Sequence, residues 1–224
     1  MEDMLEPSTL KFLKDLKKHN DKAWFDKNRD AYENAKQDFA DFVQSLIDQH
    51  AAKDPSIKSL KAKDCVFRIN RDIRFSKDKS PYKTNFGASI TVGGKRSGLA
   101  GYYFHCEPGG SFFGGGIWMP MAPALKMLRQ EIDYGYDEFK GIVGSKKFKS
   151  VYGDIYRGEE ILLSKVPQGF EKDNPAAEYL KLKSCIALKS LSDEDLLSKT
   201  LRKKALDAME TLQPLLVFIN RALG

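Results

Sequence analysis

An α+β fold is predicted by three features of the sequence. Apolar residues at helical spacing occupy both ends of the chain, and short β-branched or aromatic runs bounded by turn residues fill its middle. The connectors between neighbouring runs are so short that the strands they join must be antiparallel. Together they predict a central antiparallel β meander of about 4–6 strands with N-terminal and C-terminal helices packed on it.

Ser8 or Thr9 is placed to cap a helix over 10–18, whose apolar stripe includes Leu10, Leu13 and Leu16. Asn20 and Asp21 restart a longer helix with Trp24, Phe25, Tyr32, Ala35, Phe39, Phe42, Val43, Leu46 and Ile47 on one face. Asp54-Pro55 ends it, and 58–63 is a polar connection. Strands are expected over 65–75, 87–92, 100–107 and 112–118, with further candidates at 161–166 and Cys185–Leu191. The 93–98 turn joins the second and third, and Pro108-Gly109-Gly110 the third and fourth. Helices resume after Pro120 and Pro123. Ser192 with Asp195 reads as a cap, and Pro214 is expected to kink or interrupt the last helix.

The 224 residues, 42% hydrophobic and 30% charged, suit one domain over 1–224 with its own core. Lys plus Arg exceeds Asp plus Glu by 37 − 31, a net charge of +6. That balance favours anionic partners, although the lysines are spread along the chain rather than gathered in one stripe. Three separated cysteines, Cys65, Cys106 and Cys185, argue against a disulfide framework and for a reducing compartment. No signal-peptide pattern and no run of about 18 apolar residues is present. The expectation is a cytoplasmic protein without membrane partners; oligomeric state is not legible.

Chemistry concentrates in 68–85. Strand alternation puts Arg68, Asn70, Asp72 and Arg74 on one face, with Arg71 turned toward the core as an anchor. Guanidinium forks suit phosphate or carboxylate, and Asp72 between them can orient both or act as a base. The structural alternative is a ladder of surface ion pairs, each stabilising by only ~0–1 kcal/mol. Ser80-Pro81 fits a helix start whose free N–H groups would face an anion, with Lys79 and Lys83 alongside.

The run Arg68-x-x-Arg71-Asp72-x-Arg74-Phe75-Ser76-x-Asp78-Lys79-Ser80-Pro81-Tyr82-Lys83-Thr84 resembles the signature of a widespread family of conserved hypothetical proteins, a domain of unknown function found in bacteria, fungi and plants. Phe12-Leu13, Trp24-Phe25 and Tyr32 resemble its N-terminal part. Gly101-Tyr102-Tyr103 and Gly115-Gly116-Ile117-Trp118-Met119-Pro120 resemble its middle. The resemblance implies one domain of about the whole chain length and brings no activity with it.

His105 is the one histidine in an expected strand, sharing a face with Tyr103 and Glu107. The short turns put Ser89 near Tyr103 and Gly87 near His105, a candidate pocket floor. No metal site is expected, because His19, His50 and His105 lie on separate elements, and no cofactor motif is present. Cys65 and Cys106 group with apolar neighbours and read as core. Gly114-Gly115-Gly116 fits no phosphate-loop pattern; it points to close approach of another backbone or to room for a ligand.

The leading expectation is therefore a protein that binds or acts on an anionic small molecule. Arg68, Asn70 and Arg74 would clamp it, with Lys79, Ser80, Tyr82, Lys83 and Tyr103 completing the site and Asp72 or His105 transferring protons. A nucleic-acid module stacking bases on Tyr82, Tyr102 and Tyr103 ranks second. A scaffold whose motif only holds its own loop ranks third.

Overall fold

The structure, a computed structural model, describes residues 3–224. Helices α1 (Pro7–Lys18), α2 (Lys22–Lys27), α3 (Arg29–His50) and α4 (Ala62–Cys65) precede β1 (Phe86–Ile90), β2 (Gly101–Cys106) and β3 (Ser111–Ile117). Then come α5 (Ala122–Tyr134), α6 (Tyr136–Gly144), α7 (Lys146–Tyr152), α8 (Ala177–Leu180), β4 (Cys185–Leu191), α9 (Asp193–Leu196) and α10 (Leu201–Leu223). The strands form one antiparallel sheet in the order β1-β2-β3-β4. The fold is α+β.

The chain divides into two compact units. The first comprises the chain up to Arg96, Tyr103–Phe113 and Ser190–Asp207; the second comprises Ser97–Tyr102, Gly114–Lys189 and Ala208–Gly224. In the first, the apolar face of α3 supplies Phe39, Phe42, Val43, Leu46 and Ile47, all buried. Phe39 stacks on Phe104 with ring centroids 5.4 Å apart, and Phe12 stacks on Phe86 at 6.3 Å. Each fully buried Phe stabilises by about 1.5–3 kcal/mol. Thr9 does not cap α1: the helix starts at Pro7, and the Thr9 hydroxyl donates to Asp38 Oδ2 at 2.5 Å, tying α1 to α3. The expected long second helix breaks at Asn28, after Asp21 has capped α2 through the Trp24 amide.

The second unit is centred on Phe139, which meets Phe218 at 5.4 Å and Tyr179 edge-on at 4.9 Å. Helix α10 runs unbroken through Pro214. Asn220 bonds both backbone groups of Ala100, its Oδ1 accepting at 2.8 Å and its Nδ2 donating at 3.1 Å. Two glycines of β3, Gly114 and Gly116, make room for β4. A Cβ on Gly114 would lie 2.2 Å from the Ala187 carbonyl oxygen, and one on Gly116 (φ +121°) 2.0 Å from that of Cys185. Backbone closeness, and not space for a ligand, accounts for them.

The expected strand over 161–166 is absent. A 3-10 turn covers Glu159–Ile161, and Leu162 makes a single antiparallel bridge with Leu182. The Ser192–Asp195 capping box forms as read. Among the described residues, no helix is long and apolar enough to cross a membrane, and no group of three or more His, Cys, Asp or Glu could hold a metal ion.

Candidate functional site: a basic groove and the His105 cluster

The expected strand over 65–75 does not form. Helix α4 takes Cys65, and the chain then makes two isolated antiparallel bridges, Val66 with Ala88 and Asn70 with Tyr82. Phe67 N–H donates to the Gly87 carbonyl at 2.9 Å and Lys83 N–H to the Ile69 carbonyl at 2.8 Å. Between the bridges, 67–69 (three residues) face 83–87 (five residues), so two extra residues bulge from the returning arm. A bulge of this kind re-aims side chains and breaks strict alternation. The arms therefore cannot hold Arg68, Asn70, Asp72 and Arg74 as one ladder.

What the bulge re-aims is visible at Thr84 and Asn85. The Thr84 hydroxyl donates to Glu107 Oε1 at 3.0 Å, and the Asn85 amide lies 3.5 Å from His105 Nδ1. Glu107 Oε2 lies 3.1 Å from His105 Nε2, and the Tyr103 hydroxyl 3.4 Å from His105 Nδ1. Because the amide can only donate, Nδ1 is the acceptor and Nε2 carries the proton given to Glu107. Phe112 stacks flat on the imidazole at 4.7 Å. Both Glu107 oxygens are thus engaged, and the ring is fixed by a face contact and three edge contacts. Burial pushes the Tyr103 phenol up, keeping it a neutral donor. Gly87 sits beneath that hydroxyl, where a Cβ would come within 2.5 Å of it.

The loop at 72–80 closes on itself. Arg74 Nε and Nη2 grip Asp72 at 3.0 and 2.7 Å, in the open, and Asp72 bonds no other described side chain. The Arg74 side chain, followed by its backbone N–H, lowers the Asp72 carboxyl. Arg71 pairs with Asp78 and reaches Ser76 Oγ at 3.4 Å, and Lys79 Nζ donates to the Ile73 carbonyl at 3.1 Å. Asp78 Oδ1 accepts from the Ser80 amide at 2.9 Å and hydroxyl at 2.7 Å. That Asx turn takes up Ser80, so Ser80-Pro81 starts no helical turn. Phe75 at the tip is 96% exposed. Tyr82 is buried and stacked on Phe25 at 3.9 Å, and Tyr102 is also buried; neither offers a surface to a base.

Arg68 and Lys83 belong to a different feature. They line a groove of about 850 Å³ with Lys36, Lys61, Lys63, Lys95 and Arg96, beside Phe67, Tyr32 and the Gln37–Gln44 face of α3. Its carboxylate is Asp41, which accepts from Gln37 at 2.8 Å. Lys36 pairs with Glu33; the other six cations make no ion pair among the described residues. Lys83 Nζ rests 5.5 Å over the Phe67 ring and donates to the Arg68 carbonyl at 3.1 Å. Burial first, and then the Arg68 charge, lower its pKa. Phe67 also meets Tyr103 at 6.4 Å, so the groove adjoins the His105 cluster through one ring.

The structure thus gathers Tyr103, His105 and Glu107 with Thr84 and Asn85, and Arg68 with Lys83. Asp72, Arg74, Lys79 and Ser80 lie on the loop, while Asn70 is exposed on the outgoing arm. Sequence reading missed Lys36, Lys61, Lys63, Lys95 and Arg96. Their signal was present but dispersed: basic residues in two connectors read as a linker and a turn, and Lys36, Ala40 and Gln44 at four-residue steps on α3.

Comparison with known families matches residues 8–218 to one described as Conserved hypothetical protein (DUF2461). The chain belongs to this family. No curated protein and no solved structure matches. As a DUF2461 member, the protein has its 68–85 segment, its groove and its His105 cluster all inside the matched region.

Proposed function

We propose that this DUF2461 protein binds a phosphate- or carboxylate-bearing molecule in the basic groove, with His105 beside it as the proton-transfer group. One observation carries the reading: six cations that make no ion pair among the described residues converge on one concavity whose described lining holds a single carboxylate. Like charges held together destabilise the fold unless something offsets them, and an anion does so. Arg68 and Arg96 supply planar donor forks, and Lys61, Lys63, Lys83 and Lys95 supply point charges. His105, held by Glu107 and stacked on Phe112, is the ordered base within reach of the Tyr103 phenol. Three buried free thiols fit a reducing, cytoplasmic setting.

A thermal-shift titration tests the binding. A ligand at a hundred times its Kd stabilises by about 2.7 kcal/mol, so phosphorylated compounds should raise Tm with the logarithm of their concentration above Kd, and chloride should not. A nucleic-acid strand is the second reading, favoured by a cation count larger than one phosphate needs. Its mark is a log K that falls with log salt by about 0.7 per phosphate neutralised on a single strand. A flat salt response dismisses it.

A further inference from the structure

The structure assigns Lys83 as a nucleophilic amine that forms an imine with the aldehyde or ketone of a phosphorylated or carboxylated carbonyl compound held in the groove. The inference rests on the anion-binding reading and goes beyond it from recruitment to covalent chemistry.

Lys83 differs from the other groove lysines in its setting. It is half-buried, its amine sits over the Phe67 ring, and no carboxylate pairs with it among the described residues. Its backbone N–H is held by the Ile69 carbonyl and its Nζ by the Arg68 carbonyl at 3.1 Å. Donating one N–H to a carbonyl leaves the lone pair of the neutral amine free to attack. Lys61 and Lys63 are exposed, Lys36 is paired with Glu33, and Lys95, half-buried with its Nζ donating to the Lys63 carbonyl at 3.0 Å, has no ring beneath it among the described residues; the Phe67 ring and the Arg68 charge set Lys83 apart. Desolvation and a neighbouring cation each lower an amine's pKa and so enlarge its neutral fraction, and both act on Lys83. Arg68, the second of those causes, also suits the anionic end of the ligand.

The step balances without an outside reagent. The Nζ lone pair forms a C–N bond as the carbonyl π bond breaks, and a proton passes from nitrogen to oxygen to give a carbinolamine. The hydroxyl takes up one further proton and leaves as water, giving the iminium. That cation is an electron sink for loss of a proton or carbon dioxide from the adjacent carbon.

The test uses pyridoxal 5′-phosphate as the aldehyde. The full chain is incubated with it, reduced with borohydride and mapped by peptide mass spectrometry. The expected result is an adduct on Lys83 in roughly tenfold excess over Lys61, Lys63 and Lys95, with pyridoxal lacking the phosphate labelling at least about tenfold less. Inorganic phosphate should protect Lys83. Lys83→Arg should abolish this adduct. Even labelling across the groove lysines overturns the assignment. If pyridoxal phosphate raises Tm but leaves Lys83 unlabelled, the imine falls and the anion groove stands. If neither it nor phosphate raises Tm, the groove reading itself falls.

Discussion

The Asn20 side chain holds the Tyr82 backbone on both of its hydrogen-bonding groups: Nδ2 donates to the carbonyl at 2.9 Å, and Oδ1 accepts from the amide at 3.1 Å. The turn between α1 and α2 thereby fixes the residue next to Lys83. Asn20→Ala removes both bonds and leaves part-buried backbone groups unpaired, at about 1–3 kcal/mol. Chemical denaturation should show that loss. Asn20→Asp, which can accept but not donate, should recover part of it.

The lowered Lys83 pKa makes a pH prediction with a definite sign. The folded state binds fewer protons than the unfolded state between the lowered value and the ordinary 10.5, so stability rises with pH in that window. Below the window the full penalty of a charged, half-buried amine remains. Lys83→Met should therefore be the more stable protein at neutral pH, and its urea midpoint should lose the alkaline rise. A wild-type midpoint that is flat or falling over this range argues against the assigned environment.

Asp78 organises the loop tip. The Ser80 hydroxyl first, then the Ser80 amide and Arg71, hold its carboxyl well below the usual carboxylate range. Loop order from this source is present above the ordinary value of 3.8 and is lost as the pH falls below it. Asp78→Ala should speed proteolytic nicking within 72–80 at neutral pH while leaving Tm nearly unchanged, because the loop lies on the surface. An equal fall in Tm would mean that the loop supports the core.

Gly116→Ala should be among the most damaging single-methyl additions in the chain. The new Cβ meets the Cys185 carbonyl oxygen at 2.0 Å from a backbone at φ +121°. Overpacking and backbone strain together cost about 2–4 kcal/mol. Gly141→Ala, on α6 with open space around it, is the matched control and should be neutral or slightly stabilising.

Local pattern carried α1, α3, α5 and α10, the strands β1 to β4 and the Ser192 cap, because periodicity and turn residues act over a few positions. It failed at 65–75, where Val66, Ile69 and Ile73 look like a strand. Register there is decided by a two-residue bulge that serves Glu107 and His105, which are distant in sequence. The His105 face was legible from β2 alone, since Tyr103, His105 and Glu107 alternate. The groove was not: its cations come from α3, the α4 approach, the outgoing and returning arms and the turn after β1, and only tertiary structure brings them together.

The central claim is that these cations bind an anion, and calorimetric titration of inorganic phosphate and pyrophosphate tests it most directly. The protein and an Arg68→Gln/Arg96→Gln variant should be compared at low and at physiological salt. The account predicts saturable binding to the protein, tighter for pyrophosphate, and at least about tenfold weaker for the variant, or roughly 1.4 kcal/mol. Absence of binding, or equal binding by the variant, would contradict it.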